Sequence, residues 1–257
     1  MASHSFHRST IILGLLAVSA LVVSTPSAQE HAGPHWTYGG THGPKHWSEL
    51  DKAFSACGAG HRQSPIDIRA PKPADLPKIE FAYQPTPLHI VNNGHTIQVN
   101  YAPGSFITVG DKRYQLTQFH FHHPSEERIN GKGFEMVAHL VHATADGALA
   151  VVAVLLDPGT ANPAIAKLWE HLPAHEGPEV KADDVKVDVT ELLPQDRRYY
   201  TFTGSLTTPP CTEDVTWFVL QTPQRISKSQ ADAFGKLYPR DARPVQPLYG
   251  RTVLASK

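Results

Sequence analysis

Alternation of apolar and polar residues in the first half of this chain predicts a series of short β-strands. Successive side chains of a strand point to opposite faces of a sheet, so a period of two marks a strand with one buried face. This pattern occurs at residues 79–83, 88–91, 96–100 and 106–109. The sequence Asn92-Asn93-Gly94 separates the second and third of these segments and predicts a tight turn between them.

The later segments are more apolar and predict strands that are buried more completely. The further predicted strands are residues 118–122, 134–142, 148–156, 199–204 and 215–220. Residues 148–156 are continuously apolar, which is typical of a strand covered on both faces. Apolar residues at helical spacing predict short helices at residues 162–171 and 229–237, the second with Ser227 or Ser229 as its N-cap.

Composition narrows the class of protein. The chain has 257 residues, of which 18% are charged and 40% hydrophobic, and this suits one globular domain or two small ones. No internal repeat and no low-complexity linker occurs, which favours one domain. The net charge is −1 and no basic patch occurs, which argues against a nucleic-acid partner. We therefore predict a mostly β (α+β) single domain around one large, mainly antiparallel sheet with a few short peripheral helices.

The N-terminus has the layout of a secretory signal peptide. Arg8 precedes an apolar run at residues 11–23, which is short for a membrane span, and small residues follow it up to Ala28. We predict that residues 1–28 are a cleaved signal and that residues 29–257 form the mature domain. An uncleaved anchor is the alternative. Export makes a bond between the two cysteines, Cys57 and Cys211, plausible, while two buried thiols remain possible.

Histidines carry the candidate chemistry. His120 and His122 are two residues apart on a predicted strand, so their imidazoles lie on one face while Phe119 and Phe121 point to the other. A histidine from the strand at residues 134–142 could complete a three-nitrogen site. Three histidines with one open position are typical of a catalytic zinc site. The alternative is a pair of ordinary polar histidines, since the chain has 16.

Several spaced motifs give the chain a resemblance to the alpha-class carbonic anhydrases of the exported bacterial type. The matching segments lie between Trp36 and about Leu248 and include residues 63–68, 92–95, 118–122, 125–126, 139–142, 205–210 and 243–248. The resemblance implies a twisted sheet of about ten strands with zinc at the bottom of a cleft. It also implies an enzyme, carbonic anhydrase (carbonate dehydratase, a lyase), that converts carbon dioxide reversibly to bicarbonate and a proton.

The resemblance assigns roles to individual residues. It implies one Zn²⁺ held by His120, His122 and His139, and a zinc-bound hydroxide that attacks carbon dioxide. In carbonic anhydrases the zinc is known to lower the pKa of its water to about 7. Thr207 would accept a hydrogen bond from the hydroxide and donate one to Glu126, which aims the hydroxide. The remaining implied residues are the Thr208 backbone N–H at the substrate and an apolar pocket of Val141, Val151, Leu206 and Trp217.

Other histidines receive different interpretations. His95 follows the Asn-Asn-Gly turn and matches the family's proton shuttle, since an imidazole titrates near neutral pH. The alternative is an ordinary turn histidine. His123 and His142 are predicted to point away from the metal and to be structural.

The resemblance also implies contacts that support the site. It implies a Cys57–Cys211 disulfide that anchors the Thr207 loop, and Gln118 as the partner of the first ligand. The chain departs from the family pattern at two positions. Val137 stands where the pattern has Glu, and Glu127 stands where it has His. Our hypothesis is that Glu127 instead accepts the hydrogen bond of His139. The alternative is a surface Glu127 that pairs with Arg128 or a lysine.

Competing functions remain open at the level of sequence. A zinc hydrolase with esterase activity could use the same nucleophile, whereas a metalloprotease is disfavoured because no His-Glu-x-x-His sequence occurs. A non-catalytic binding module is the third reading. The expected partners are small molecules, carbon dioxide and bicarbonate, with no nucleic acid and no membrane after signal cleavage. We expect a monomer or homodimer in the periplasm.

Overall fold

A single large sheet organises the described chain and presents the candidate site on one of its faces. The structure is a computed structural model that describes residues 34–257 together with Met1. The predicted signal peptide lies outside the described residues, apart from Met1. Within the described part, no helix is long and apolar enough to cross a membrane.

Fifteen strands and four short α-helices are present in the described residues. The strands are β1 (Asp67–Ile68), β2 (Lys72–Ala74), β3 (Ile79–Ala82), β4 (Thr86–Asn92), β5 (Ile97–Asn100), β6 (Phe106–Val109), β7 (Lys112–His122), β8 (Arg128–Ile129), β9 (Met136–Ala143), β10 (Leu149–Pro158), β11 (Val180–Val187), β12 (Tyr199–Ser205), β13 (Glu213–Leu220), β14 (Gln224–Ile226) and β15 (Leu254–Ser256). The helices are α1 (Trp47–Leu50), α2 (Ala56–Ala59), α3 (Pro163–Trp169) and α4 (Lys228–Gly235). Short 3-10 turns lie at Gly40–His42, Lys52–Phe54 and Val189–Leu192.

Thirteen of these strands form one mixed sheet, which confirms the predicted fold class. Its main path has the order β11-β4-β5-β7-β9-β10-β13-β12-β15-β2, and β3, β6 and β14 pair beside it. The parallel pairings are β10–β13, β10–β14 and β15–β2, and the others are antiparallel. Strands β1 and β8 form a separate parallel pair.

The central strand β10 explains how the sheet is covered on both faces. Its residues from Ala150 to Leu156 are all buried, as the continuous apolar run predicted. Alternate side chains enter two hydrophobic clusters. One contains Val152 and Val154, and the other contains Val151 and Ala153. The candidate site lies on the face of the second cluster.

Capping residues define the two longer helices. The Asn162 side chain accepts hydrogen bonds from the N–H groups of Ala164 and Ile165 and begins α3. Ser227 caps α4, and Gln230 completes a capping box with it. Of the two caps considered from the sequence, Ser227 is the one used. Both helices end two residues before the predicted C-terminal end.

Candidate metal centre

Two neighbouring antiparallel strands bring the three candidate ligands together. His120 and His122 lie on β7, and His139 lies on β9 directly opposite His120. One nitrogen from each ring lies within 4.8 Å of the others. His122 and His139 are each only 1% exposed, and His120 is half-buried. The i, i+2 spacing on β7 therefore places both imidazoles on one face, and the strand pairing supplies the third.

Each of these rings has one nitrogen occupied by a hydrogen-bond acceptor. His120 Nδ1 donates to Gln118 Oε1 at 2.8 Å, and His122 Nδ1 donates to the Asp241 backbone carbonyl at 2.7 Å. His139 Nε2 donates to the Glu127 carboxylate at 3.1 Å. The lone pair of each opposite nitrogen is consequently free to face the centre of the cluster.

The donor set fits a metal ion. Nε2 of His122 is buried and has no hydrogen-bond partner among the described residues, which is costly unless something else binds it. Burial lowers the pKa of His120 and of His139 well below the usual range, and the neighbouring His122 lowers both further. The rings of His120 and His139 are therefore neutral near pH 7. Three imidazole ligands suit Zn²⁺ with an open fourth position.

Glu126 lies directly beside this cluster and is 2% exposed. Its Oε1 accepts the backbone N–H of Arg243 at 2.8 Å, and its Oε2 lies 3.6 Å from His122 Nε2. Burial raises the pKa of Glu126 well above the usual range, and the charge of Glu127 raises it further. The Thr207 hydroxyl and the Arg243 N–H oppose this rise. Glu126 Oε2 otherwise has no hydrogen-bond partner of good geometry in the described chain.

The loop that carries Thr207 is held from several sides. Ser205 Oγ accepts the Ser64 N–H at 2.9 Å, and Ser64 Oγ accepts the Ser205 N–H at 3.1 Å. Cys57 and Cys211 form a disulfide with their Cα atoms 5.0 Å apart, as the resemblance implied. Thr207 itself is only 6% exposed. The loop is therefore positioned by covalent and hydrogen-bonded contacts on both sides of Thr207.

Arg243 connects these contacts to Glu126, and sequence reasoning gave it no role. Its guanidinium donates to Gln63 Oε1, to the Ser64 carbonyl and to the Cys57 carbonyl, at 2.8, 2.8 and 2.9 Å. Asp241, two residues earlier, supplies the carbonyl that holds His122. A backbone acceptor leaves no side-chain signal in the sequence. Arg243 could have been noticed only as a basic residue beside prolines in a matched motif.

The four candidate pocket residues belong to one hydrophobic cluster beside the histidines. Val151 and Trp217 are buried, and Val141 and Leu206 are partly buried against them. The rings of Trp217 and His139 meet edge to face with centroids 5.0 Å apart. An apolar wall therefore adjoins the metal-facing side of β9.

His95 lies in the turn between β4 and β5, where its ring stacks on Trp36. The two ring centroids are 3.7 Å apart, and the planes are inclined by 8°. The His35 ring lies 6.2 Å away. Partial burial lowers the pKa of His95, the neighbouring His35 lowers it further, and the charge of Glu176 opposes both effects. The structure thus places His95 outside the three-histidine cluster, in contact with the aromatic N-terminal segment.

The two histidines that were predicted to be structural, His123 and His142, are not part of the three-histidine cluster. His142 points to the opposite face of β9 and contacts the Tyr83 hydroxyl at 2.8 Å. His123 is partly exposed, and its Nδ1 donates to the Pro239 carbonyl at 3.2 Å.

Comparison with known proteins agrees with this architecture. A model of the eukaryotic-type carbonic anhydrase family matches residues 42–257. A carbonic anhydrase of Nostoc sp. is 40% identical over 268 residues, which cover 99% of this chain and 99% of that protein. One from Pectobacterium carotovorum is 41% identical over 244 residues, covering 94% of this chain and 99% of the relative.

A solved structure shows the same fold. The alpha-carbonic anhydrase from Thermovibrio ammonificans, in complex with the inhibitor sulfanilamide, is 40% identical. It superimposes with a TM-score of 0.84 over 88% of this chain and 100% of its own. The sheet and the histidine cluster thus define a β-sheet enzyme with a candidate three-histidine metal centre. The chain belongs to the alpha class of the carbonic anhydrases.

Proposed function

We propose that this chain catalyses the reversible hydration of carbon dioxide to bicarbonate and a proton with one zinc ion held by His120, His122 and His139. The observation that carries the proposal is the convergence of three imidazoles beside a buried Glu126 and an apolar wall. Bound zinc supplies Lewis-acid activation of a water molecule near neutral pH, a property established for this family.

Thr207 and Glu126 orient the attacking oxygen. The Thr207 hydroxyl donates a hydrogen bond to the Glu126 carboxylate, so the Thr207 oxygen offers its lone pairs to the cleft. Because its one hydrogen is donated to Glu126, the Thr207 hydroxyl can only accept a hydrogen bond from the attacking oxygen. This requirement fixes the orientation of the attacking oxygen. The Arg243 N–H holds the other oxygen of Glu126 in place. This arrangement contributes orientation rather than proton transfer.

Carbon dioxide binds against the apolar wall, and its proton product leaves by another route. Val141, Val151, Leu206 and Trp217 offer carbon dioxide a surface without competing hydrogen bonds. The Thr208 backbone N–H polarises a substrate oxygen. His95 accepts the released proton through intervening water and passes it to buffer, which its position near the surface permits.

The N-terminal sequence and the disulfide support a proposal about where the protein acts. We propose that residues 1–28 direct export and that the mature domain works in the periplasm, where the Cys57–Cys211 bond persists. Bacterial carbonic anhydrases of similar sequence support this assignment.

Parallel assays of the purified mature chain separate this function from ester hydrolysis. Metal analysis should find one zinc per chain. Stopped-flow measurement should show rapid hydration of carbon dioxide, and hydrolysis of an activated aryl ester by the same preparation should be slow. Efficient ester hydrolysis without carbon dioxide hydration would overturn the proposal in favour of a zinc hydrolase.

A further inference from the structure

We propose that Glu127 is the positioning residue of His139, and that Glu127 and Val137 form an interdependent pair. This inference rests on the proposed zinc site. The carboxylate of Glu127, in the segment between β7 and β8, orients the third ligand, His139. Val137, which lies on β9 with His139 and on the same face, is apolar.

The contact between Glu127 and His139 is enclosed and symmetrical. Glu127 is 0% exposed, and its two oxygens lie 3.1 and 3.2 Å from His139 Nε2. No other acceptor contacts this nitrogen among the described residues. The carboxylate therefore holds the proton of His139 on Nε2 and leaves the Nδ1 lone pair directed at His120 and His122.

The backbone on both sides of Glu127 is fixed, which gives its carboxylate a defined position. On one side, Ser125 Oγ donates to the Glu127 carbonyl at 3.0 Å and accepts the Phe134 N–H at 2.8 Å. On the other side, the Arg128 N–H donates to the Ile66 carbonyl, where β8 pairs with β1. Residues held on both sides can place an acceptor accurately, as a ligand-orienting group requires.

Glu126 cannot substitute for Glu127. The two consecutive carboxylates flank the His139 ring, with Glu126 Oε2 at 3.8 Å from Nδ1 and Glu127 at Nε2. Glu126 is also held by the Arg243 N–H on its other oxygen. Each carboxylate therefore serves one side of the ring, and removal of Glu127 leaves Nε2 without a protein acceptor.

Val137 has no hydrogen-bond acceptor in its side chain, so the carboxylate for His139 has to come from the segment between β7 and β8. It lies two residues before His139 on β9, so the two side chains share a face. It is 0% exposed and packs in the cluster that contains Phe134 and Trp217. A carboxylate there would compete with Glu127 for one N–H and would place two buried negative charges together. The chain accommodates an acidic side chain at one position or the other.

Zinc affinity tests the first half of the proposal. Dissociation constants would be measured by competition with a chelator for the wild-type mature chain, Glu127→Leu and Glu127→Gln. We expect Glu127→Leu to bind zinc about 10- to 100-fold more weakly, and Glu127→Gln, which retains a neutral acceptor, to lie between the two. Unfolding of the metal-free proteins should be measured alongside, because Glu127→Leu leaves the buried N–H of His139 without an acceptor and is expected to lower stability as well. Zinc affinities are therefore compared only between variants that are shown to be folded without metal.

The control is Glu135→Leu, since Glu135 is a half-exposed carboxylate that lies 3.8 Å from His123 and makes no hydrogen bond with the three candidate ligands. It should leave the zinc dissociation constant unchanged. An unchanged dissociation constant in Glu127→Leu, or an equal loss in Glu135→Leu, would overturn the role of Glu127. Failure of the wild-type chain to bind zinc would instead overturn the proposed function.

A double-mutant cycle tests the interdependence. Val137→Glu alone should weaken zinc binding, whereas the same change in the Glu127→Leu background should recover part of the lost affinity. Additive effects of the two changes would contradict the paired arrangement. If Val137→Glu does not fold in the wild-type background, folding and improved zinc binding of the double variant would support the pair, and their absence would count against it.

Discussion

Two histidines on β9, His139 and His142, show that burial alone does not make a metal ligand. They lie three residues apart, are 1% and 0% exposed, and face opposite sides of the sheet. His139 has a carboxylate at one nitrogen and two other imidazoles near the second. His142 contacts the Tyr83 hydroxyl through Nε2, and its partners on the neighbouring strands, Leu116 and Ala150, belong to the larger hydrophobic cluster.

Both environments suppress protonation. His142 also has a buried nitrogen without a hydrogen-bond partner among the described residues, Nδ1, but the group of converging candidate ligands contains His139 and not His142. Burial lowers the pKa of His139 well below the usual range and that of His142 to about 3. The two histidines differ in their neighbours, because nitrogens of His120 and His122 lie near His139 and could bind the same metal ion. A metal centre therefore requires convergence of several neutral nitrogens, with acceptors behind them that fix each ring.

The largest expected effect comes from removing one of the converging nitrogens. In His139→Ala, zinc should be lost on dialysis and carbon dioxide hydration should fall to the uncatalysed rate, because two imidazoles do not complete the donor set. His142→Ala serves as the comparison and should retain one zinc per chain. Metal analysis with stopped-flow hydration would measure both variants, and full zinc occupancy in His139→Ala would refute the ligand assignment.

A smaller effect is expected when the ligands are kept and the orienting hydroxyl is removed. Thr207→Ala should lower kcat/KM for hydration by about 10²-fold, because the attacking oxygen loses its aligned acceptor. Zinc content should not change. Thr203→Ala, at an exposed position of β12, is the matched control. Wild-type kcat/KM in Thr207→Ala would show that this side chain does not orient the reaction.

His95 adds a third environment to the comparison, a histidine outside the cluster and stacked on Trp36. His95→Ala should lower turnover about 10-fold in weak buffer, less than the 10²- to 10⁴-fold typical of general acid–base groups because water and buffer still carry protons. Added imidazole should restore turnover. Equal turnover of the variant and the wild type at low buffer concentration would assign proton transfer to another group.

Substitution of His142 should have the smallest effect on activity but should clearly lower stability. His142→Ala leaves the Tyr83 hydroxyl without its partner, which should lower the free energy of unfolding by about 1–3 kcal/mol at pH 7. Hydration activity per folded, zinc-loaded molecule should be unchanged. Denaturant titration gives the free energy. A loss of zinc from this variant would remove the distinction between the two histidines.

The pH dependence of stability provides a further test of His142. Its pKa is about 3 in the folded protein and near 6.5 when unfolded, so below pH 6.5 only the unfolded state takes up the proton. The contribution of His142 to stability is therefore present above pH 6.5 and lost as the pH falls toward 3. Between pH 7 and pH 5, the wild type should lose about 2 kcal/mol more unfolding free energy than His142→Ala. The difference between the two proteins removes the shared contributions of His120 and His139. Parallel pH dependence of the two proteins would contradict this account.

Several of these features follow from sequence patterns, because they depend on local periodicity. The i, i+2 spacing of His120 and His122 predicts their common face, and the apolar run at 148–156 predicts the central strand β10. Strand β11 was not predicted. It lies at the edge of the sheet with a register irregularity between Ala182 and Lys186, so most of its side chains are exposed and carry no apolar period.

Other features depend on contacts between distant parts of the chain. The Asp241 carbonyl that holds His122 and the Arg243 guanidinium that joins Cys57 to Ser64 are separated from their partners by more than a hundred residues. Strand pairing and loop packing create these contacts, and no local pattern encodes them. Export made a Cys57–Cys211 bond plausible, but only the resemblance implied that the two cysteines pair, since 154 residues of separation give no sign of proximity.

Stepwise addition of zinc to the metal-free mature chain tests the central claim most directly. Carbon dioxide hydration, measured by stopped flow after each addition, should rise in proportion to zinc and stop rising at one equivalent per chain. The same titration of His139→Ala should produce no activity at that equivalence point. Hydration by the metal-free chain, or activity that does not depend on the amount of zinc bound, would contradict the proposed three-histidine zinc centre.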